Sequence, residues 1–274
     1  MSTSTVICRS CGSSVDSDDR FCPECGVMME AGASVAASVT PANVSAQTVG
    51  PGLAAASDAG KSKPANQDAF WLSGSSTGGK GSLVVVCDGV STSQTPHMAS
   101  GLAAMRAGEA LLKGGEPLEA LDAARIAVET IPFDVDSDLP GPSTTAMAVL
   151  LRPGRADGMT EAFWAWVGDS RIYWIPLTGA PRLLTIGHVD EFGRLARCLG
   201  SGADGTPETG HGAFPSGGWI LLCTDGLWGY DPGMDASAVR IRTASGAAEA
   251  CARLVQYALD CGGRDNVTAA LVRL

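Results

Sequence analysis

The sequence has little charge of either sign and no cluster of positive charge. Of its 274 residues only 18% are charged and 45% are hydrophobic, and the formal net charge is -10. This composition excludes a wholly disordered chain, which would need lower hydrophobicity and more charge. Because no run of Lys or Arg interrupts the acidic balance, nucleic acid is not expected as a partner. An anionic substrate would need metal ions or a few well-placed Lys and Arg residues.

Long apolar stretches are missing as well. None approaches the ~20 residues that a membrane-spanning helix needs, and the first residues, MSTSTVICRSC, have neither a basic start nor an apolar signal core. We therefore expect no membrane insertion and a location in the cytoplasm. In that compartment the nine cysteines are expected to be reduced or metal-bound rather than paired as disulfides.

Four of the cysteines form two Cys-x-x-Cys-Gly sequences separated by ten residues: Cys8, Cys11, Cys22 and Cys25. Two residues between the members of a pair let both thiolates bind one ion, and the following glycine relieves the tight turn. The pattern predicts one structural Zn²⁺ in a zinc ribbon of residues 1–28, with four ordinary thiols as the alternative. Because so small a unit cannot bury a core, the metal would supply its folding energy.

The composition changes after the ribbon. Residues 29–52 are rich in Ala, Ser, Val and Gly and have hardly any charge, which is typical of a flexible linker. In residues 53–274, apolar runs of strand length come in series, and Ala-rich stretches with helical spacing lie between them. This arrangement favours a layered α+β domain over a doubly wound one. The predicted strands are SLVVVC, TTAMAVLL, EAFWAWV, RIYWIP, GWILLC and NVTAALVRL.

Two of these strands end in the same way. One runs into Asp88-Gly89, and another runs through Thr224 into Asp225-Gly226. A carboxylate at the rim of an apolar sheet is costly unless it is solvated, paired or bound to a cation, and the glycine lets backbone or ligand come close. Asp-Gly is also ordinary turn chemistry. Each pair by itself is therefore more often a turn than a ligand.

Three further acids stand at similar places. Asp265 precedes the last strand, Asp68 precedes an apolar segment, and Asp169 lies in a predicted hairpin turn. The repetition favours a ligand set over unrelated turns. Carboxylate and carbonyl oxygens select hard cations such as Mg²⁺ and Mn²⁺, whereas thiolates select Zn²⁺. We therefore expect two classes of metal site in one chain.

Six motifs follow one another along the chain: NQDAF, VCDGV, STTAMAVLL, VGDSRIYWI, LLCTDGLW and GGRDNVTAALV. In this order they resemble the metal-dependent protein phosphatases of type 2C, in their bacterial branch, over residues 53–274. The resemblance implies a catalytic domain built as a four-layer α-β-β-α sandwich. It also implies that the partners are signalling proteins that carry phosphoserine or phosphothreonine. A hydroxide that bridges two Mn²⁺ or Mg²⁺ ions would hydrolyse these phosphate esters.

The resemblance assigns metal ligands as well. It implies that Asp88 bridges the two Mn²⁺ or Mg²⁺ ions and that the Gly89 carbonyl binds one of them. Asp225 and Asp265 would hold the other ion. Asp169 corresponds to a ligand of a weaker third ion in bacterial members.

Two catalytic residues are implied beside the ligands. Asp68 corresponds to an acid near the metal-bound waters, and Lys63 stands where the family has an Arg that holds the substrate phosphate. A lysine can pair with phosphate but cannot form the bidentate fork, so substrate binding would be weaker or more tolerant. An exposed loop lysine is the alternative. His97 could protonate the leaving oxygen, although a lone histidine that opens a helix is more often an exposed residue.

Two other functions stay open. One is a pseudophosphatase that binds phosphoproteins without turning them over, suggested by Lys63 and by the absence of a His after Asp88-Gly89. The other is an adaptor whose functional part is the zinc ribbon. Since Arg9 and Arg20 are the only bases of the ribbon, outnumbered by acids, a protein contact is expected there and not nucleic acid.

We expect the full chain to bind one zinc ion and a protein without residues 1–30 to bind none, because all four thiolates lie in that segment. The zinc content per protein molecule tests this; it is measured by elemental mass spectrometry on the dialysed protein. Cys198→Ser is the control and should leave the zinc content unchanged. Equal zinc content with and without the segment would contradict the ribbon.

Overall fold

A computed structural model describes residues 43–74, 81–152, 158–200, 202 and 204–274, together with three short strands nearer the N-terminus. Two of those strands, β1 Thr5–Ile7 and β2 Ser14–Asp16, pair with each other in antiparallel fashion within the expected zinc ribbon. The four expected zinc ligands, Cys8, Cys11, Cys22 and Cys25, lie outside the described residues.

Two six-stranded antiparallel sheets form the centre of the fold. In spatial order, the first sheet contains β14 Glu208–Pro215, β10 Met159–Val167, β9 Ala146–Arg152, β7 Leu83–Asp88, β6 Asp68–Ser73 and β3 Ala36–Ser38. The second contains β12 Arg182–Leu183, β11 Arg171–Ile175, β15 Trp219–Cys223, β16 Val267–Arg273, β5 Leu53–Asp58 and β4 Val44–Thr48. A small pair is formed by β8 Ser143–Thr144 and β13 Leu199–Gly200.

Helices cover the outer faces of both sheets. They are α1 Pro96–Leu112, α2 Pro117–Val128, α3 Asp225–Trp228, α4 Asp235–Arg242 and α5 Ala247–Asp260. One apolar cluster joins α1 and α2 to the first sheet, a second joins α4 and α5 to the second sheet, and a third fills the space between the sheets. The expected four-layer α-β-β-α sandwich is therefore confirmed.

The strand β7 shows why these sequences fold as central strands. Val84 and Val86 face the other sheet, whereas Leu83, Val85 and Cys87 face the helices. Successive side chains of a strand point to opposite faces, and in this layered fold both faces are covered. A continuous run of β-branched apolar residues is what such a strand requires.

The described parts of the segment 29–52 differ from the flexible linker that its composition predicts. They contain β3, which pairs with β6, and β4, which pairs with β5 from Thr48 opposite Ala54 to Val44 opposite Asp58. The side chains of β4 are alternately exposed and half-buried. Since the backbone ladder rather than side-chain burial holds such an edge strand, composition carries little signal for it. The division into domains stays a prediction, and a boundary at residue 53 would separate two paired strands.

The long helices lie where helical spacing predicts them, and α1 is the longest of those described, with 17 residues. In the described ranges, no helix has both the length and the apolar character that crossing a membrane requires. The sequence patterns did not reveal the short α3, the polar α4 or β14. These three elements are short or weakly amphipathic, so the periodic signal is weak.

Helix α1 lies unusually close to the first sheet at Gly108. A Cβ atom at this position would lie 2.2 Å from Cδ2 of Trp71, whose indole is buried in β6. The helix can approach only because position 108 has no side chain. This contact fixes α1 against the strand that begins with Asp68.

We expect Gly108→Ala to lower the free energy of unfolding by about 1–3 kcal/mol, the usual cost of overpacking, even though alanine favours a helix by about 1 kcal/mol over glycine. Urea unfolding measures the change. In the double variant with Trp71→Leu, the combined loss should be smaller than the sum of the single losses, because the two positions share one space. A more stable Gly108→Ala protein would refute the close packing.

Candidate active site

Five aspartates lie at one end of the sandwich, where strands of both sheets begin or end; we call them the carboxylate cluster. Asp68 is the first residue of β6 and Asp88 the last of β7, and the two stand directly opposite in the antiparallel ladder. Asp169 lies in the turn from β10 to β11, which crosses from the first sheet to the second. Asp225 begins α3, with Thr224 between it and β15, and Asp265 precedes β16.

Asp88 is at the electrostatic centre of the cluster. Burial raises its pKa well above the usual value for Asp. Four other negative charges raise the pKa further: those of Asp68, Asp225, Asp169 and Asp265. Like charges at directly opposed strand positions are destabilising. The sequence-predicted acids are therefore brought together closely enough to perturb one another.

Two other members of the cluster share this effect. Burial raises the pKa of Asp225 to about 7, with further increases from Asp169, Asp265 and Asp68 and an opposing effect of Lys63. Burial also raises the pKa of Asp169, and a backbone hydrogen bond partly offsets the rise. So many buried carboxylates stay ionised at neutral pH only if cations compensate their charge.

The carboxyl group of Asp68 has one satisfied oxygen and one free oxygen. Its Oδ2 accepts hydrogen bonds from Thr268 Oγ1 at 2.6 Å and Thr224 Oγ1 at 3.0 Å. Its Oδ1 is buried and has no hydrogen-bond partner. Burial raises the pKa of Asp68 to about 6, while the hydrogen bonds from the two threonines and the neighbouring Asp88 side chain lower it. Since an unpaired buried oxygen is costly, Oδ1 is available to a water, a proton or a cation.

The two Asp-Gly pairs are positions of close approach and not glycine-specific turns. A Cβ at Gly89 would lie 2.5 Å from the carbonyl oxygen of Pro96, and a Cβ at Gly226 would lie 1.9 Å from that of Asn266. Neither glycine has a positive φ. Steric exclusion of a side chain, rather than the left-handed conformation, thus requires glycine after Asp88 and Asp225.

Asn266 joins the segment before β6 to the segment before β16. It is buried, its Oδ1 accepts from the Gln67 backbone N–H at 2.9 Å, and its Nδ2 donates to the carbonyl oxygens of Ala59 at 2.8 Å and Ala65 at 3.0 Å. Its own backbone N–H donates to Asp265 Oδ1 at 2.8 Å. Sequence reasoning missed this role, although Asn266 belongs to the GGRDN motif.

Lys63 lies at the cluster. Its Nζ is 2.9 Å from Asp265 Oδ1 and 2.9 Å from Ser91 Oγ. The side chain is only 24% exposed, so it does not match the alternative of an isolated loop lysine. Its phosphate-binding role stays a prediction.

The two histidines near these loops differ. His97 is exposed on the first turn of α1, and partial burial lowers its pKa. His188, whose supporting role sequence reasoning missed, is buried: its Nδ1 accepts from the Gly168 N–H at 3.0 Å and its ring stacks on Trp166. It supports the turn that carries Asp169. Nothing local in the sequence distinguishes this buried support from an exposed histidine.

The donor set fits hard divalent cations. The cluster offers only oxygen atoms, which Mg²⁺ and Mn²⁺ prefer. Within the described ranges, no three acidic, imidazole or thiolate side chains are already arranged to hold a single ion. Ions of this kind keep several waters and take as few as one or two carboxylates, so a closed group of three is not required. The individual ligands stay predictions.

Fold and cluster together define a protein serine/threonine phosphatase of the metal-dependent class. Residues 55–272 match the family model of protein phosphatase 2C, and the chain belongs to that family. Residues 4–29 match the model of a zinc-ribbon domain. A comparison with curated proteins found no match.

Solved structures agree with this assignment. The catalytic domain of the serine/threonine phosphatase PstP in complex with two manganese ions is 27% identical, with a TM-score of 0.63, over 84% of this chain and 98% of that one. The phosphatase MsPP from Mycobacterium smegmatis, in complex with cacodylate, is 25% identical, with a TM-score of 0.61, over 85% and 100%. The S. agalactiae serine/threonine phosphatase, at 20% identity and a TM-score of 0.66 over 84% and 99%, supports the fold.

The raised pKa of Asp225 predicts a pH dependence of stability for the metal-free protein. The folded protein holds this proton more tightly than the unfolded chain, so the contribution is fully present below pH 3.8 and is lost as pH rises through about 7. Asp225→Asn should therefore gain stability relative to wild type as pH rises through this window. Urea unfolding of dialysed, metal-free proteins at several pH values measures the difference. A constant difference across the window would contradict the shift.

Proposed function

We propose that this chain hydrolyses phosphoserine and phosphothreonine in proteins and that its carboxylate cluster holds two Mn²⁺ or Mg²⁺ ions. The observation that carries the proposal is the convergence of five aspartates at one end of the sandwich, where Asp68 and Asp88 stand directly opposite in one ladder and burial raises the pKa of Asp88. A site that concentrates this much negative charge under burial suits divalent cations and, through them, an anionic phosphate. Family membership supports the same reaction.

The proposed ligands are Asp88, the Gly89 carbonyl, Asp225 and Asp265, with Asp169 at a weaker third ion. Asp88 is held by its backbone, since its carbonyl oxygen accepts from the Thr145 N–H at 2.8 Å and from Thr144 Oγ1 at 2.9 Å. When bound, two divalent ions supply a nucleophile at neutral pH and neutralise charge on the phosphate.

The chain itself supplies two further functions. Two threonine hydroxyls hold the carboxyl group of Asp68 in a fixed orientation. Its free Oδ1 can therefore orient the attacking water and accept a proton. Its pKa of about 6 suits exchange of a proton near neutral pH. Lys63 offers an ammonium group at the rim of the cluster to the substrate phosphate.

Outside the catalytic sandwich, we propose that the thiolates of the N-terminal segment bind one structural Zn²⁺ and that the ribbon contacts protein. The zinc-ribbon match at residues 4–29 supports the metal. The location in the cytoplasm stays a prediction.

Hydrolysis of p-nitrophenyl phosphate with added Mn²⁺ tests the reaction. We expect activity only with the metal, and we expect Asp225→Asn to lower kcat/KM by at least about a hundredfold, because removal even of outer-shell partners costs roughly 10- to 100-fold. A phosphothreonine peptide should respond in the same way. Activity that is independent of Mn²⁺, or unchanged in Asp225→Asn, would overturn the proposal.

Asp122→Asn is the matched control, since it removes one carboxylate from the surface of α2, where Asp122 is 48% exposed. Its activity should equal that of the wild type. Binding of phosphopeptide with no turnover at any Mn²⁺ concentration would instead indicate a pseudophosphatase.

A further inference from the structure

Lys63 connects two loops that come from different sheets. Its Nζ contacts Asp265, which precedes β16 of the second sheet, and Ser91, which follows β7 of the first sheet, at 2.9 Å each. An ammonium group has three N–H donors, so one donor remains after these two contacts. Because Ser91 and part of Lys63 are exposed, a substrate can reach this third donor.

The hydroxyl of Ser91 has a defined direction. It donates to Gln67 Oε1 at 2.6 Å, and a carbonyl oxygen can only accept. The lone pairs of Ser91 Oγ are therefore left for the ammonium of Lys63. A chain of hydrogen bonds runs from Lys63 through Ser91 to Gln67.

Gln67, the end of this chain, is held firmly by its backbone. Its N–H donates to Asn266 Oδ1 at 2.9 Å, and its carbonyl oxygen accepts from the Gly89 N–H at 3.1 Å and from Ser100 Oγ at 2.6 Å. The hydrogen-bond chain thus ends on backbone shared by the strands that carry Asp68 and Asp88. Ser91 is consequently an anchor with a fixed position.

The two partners of Lys63 respond differently to a cation. A divalent ion on Asp265 neutralises the charge that attracts the ammonium and repels the ammonium itself. Ser91 is neutral, so its oxygen can still accept a hydrogen bond from Lys63 when a cation neutralises the charge of Asp265. A cation at Asp265 therefore weakens the contact of Lys63 to Asp265 and leaves the contact to Ser91 in place.

We propose that Ser91 is a positioning residue for Lys63: it keeps the ammonium at the rim of the carboxylate cluster when a divalent cation binds Asp265, so that Lys63 meets the phosphate of the substrate. This inference rests on the proposed function. Ser91 acts through Lys63 and does not touch the reacting atoms.

The test compares full-length wild type, Ser91→Ala and Ser91→Thr, the last of which keeps the hydroxyl. With saturating Mn²⁺, Ser91→Ala should raise the KM for p-nitrophenyl phosphate and the dissociation constant of inorganic phosphate by about three- to tenfold, as expected for one lost hydrogen bond. The kcat should change little, and Ser91→Thr should restore both constants. Unchanged constants in Ser91→Ala would overturn the proposal.

Epistasis with Lys63→Met separates positioning from a general structural effect. In the Lys63→Met background, Ser91→Ala should have no further effect on phosphate binding, because its action requires the ammonium. An equal loss in both backgrounds would show that Ser91 acts without Lys63 and would overturn the proposal.

Calorimetric titration with Mn²⁺ alone provides a readout that needs no turnover. Lys63→Met should bind Mn²⁺ more tightly than wild type, because the competing ammonium is gone. Lys61→Met, which removes a positive charge from the same loop, is the control and should change Mn²⁺ binding less. Equal effects of the two variants would show that the Lys63 ammonium does not compete with Mn²⁺ for Asp265, and this result would overturn the proposal.

The proposed function and the role of Ser91 can fail separately. If wild type shows no Mn²⁺-dependent hydrolysis, the proposed function fails, and phosphate binding to the Mn²⁺-loaded proteins still decides the role of Ser91.

Discussion

The mutual repulsion of the carboxylates at the end of the sandwich is the constraint on which the functional part of the structure depends. Asp68 and Asp88 face each other across one ladder, and three other acids come from the turn between the sheets, the start of α3 and the segment before β16. Such an arrangement is costly for the protein alone and becomes favourable with divalent cations. The surrounding fold must therefore hold the acids in place against their own repulsion.

Side-chain hydrogen bonds and close backbone packing provide this resistance. Asn266 joins the loops before two strands, and the threonine hydroxyls around Asp68 and Asp88 fix the carboxyl and carbonyl groups. The glycines after Asp88 and Asp225 let neighbouring carbonyl groups approach within distances that no side chain would permit. The site is thus built from rigid strand ends, which favours a fixed geometry for a charged substrate.

Much of the fold could be predicted because strands buried on both faces have continuous apolar sequences, as in β7, and because α1, α2 and α5 are long Ala-rich stretches with helical spacing. The edge strand β4 has no continuous apolar sequence. The composition of β4 is that of a linker, yet its backbone pairs with β5. The acids could be predicted from their repetition at strand ends, whereas the supporting hydrogen bonds of His188 to Gly168 and of Asn266 to Gln67 depend on the folded positions of separate loops.

The sequence by itself determined the residue types of the site, its oxygen-only donors and the family to which the chain belongs. Only the tertiary structure decided that the five acids perturb one another, that the Asp-Gly pairs are places of close approach, and that Lys63 lies between Asp265 and Ser91. The physical reason is that charge coupling and steric exclusion depend on distance in space. Residues separated by 200 positions in the chain, such as Asp68 and Thr268, come into contact only when the two sheets pack.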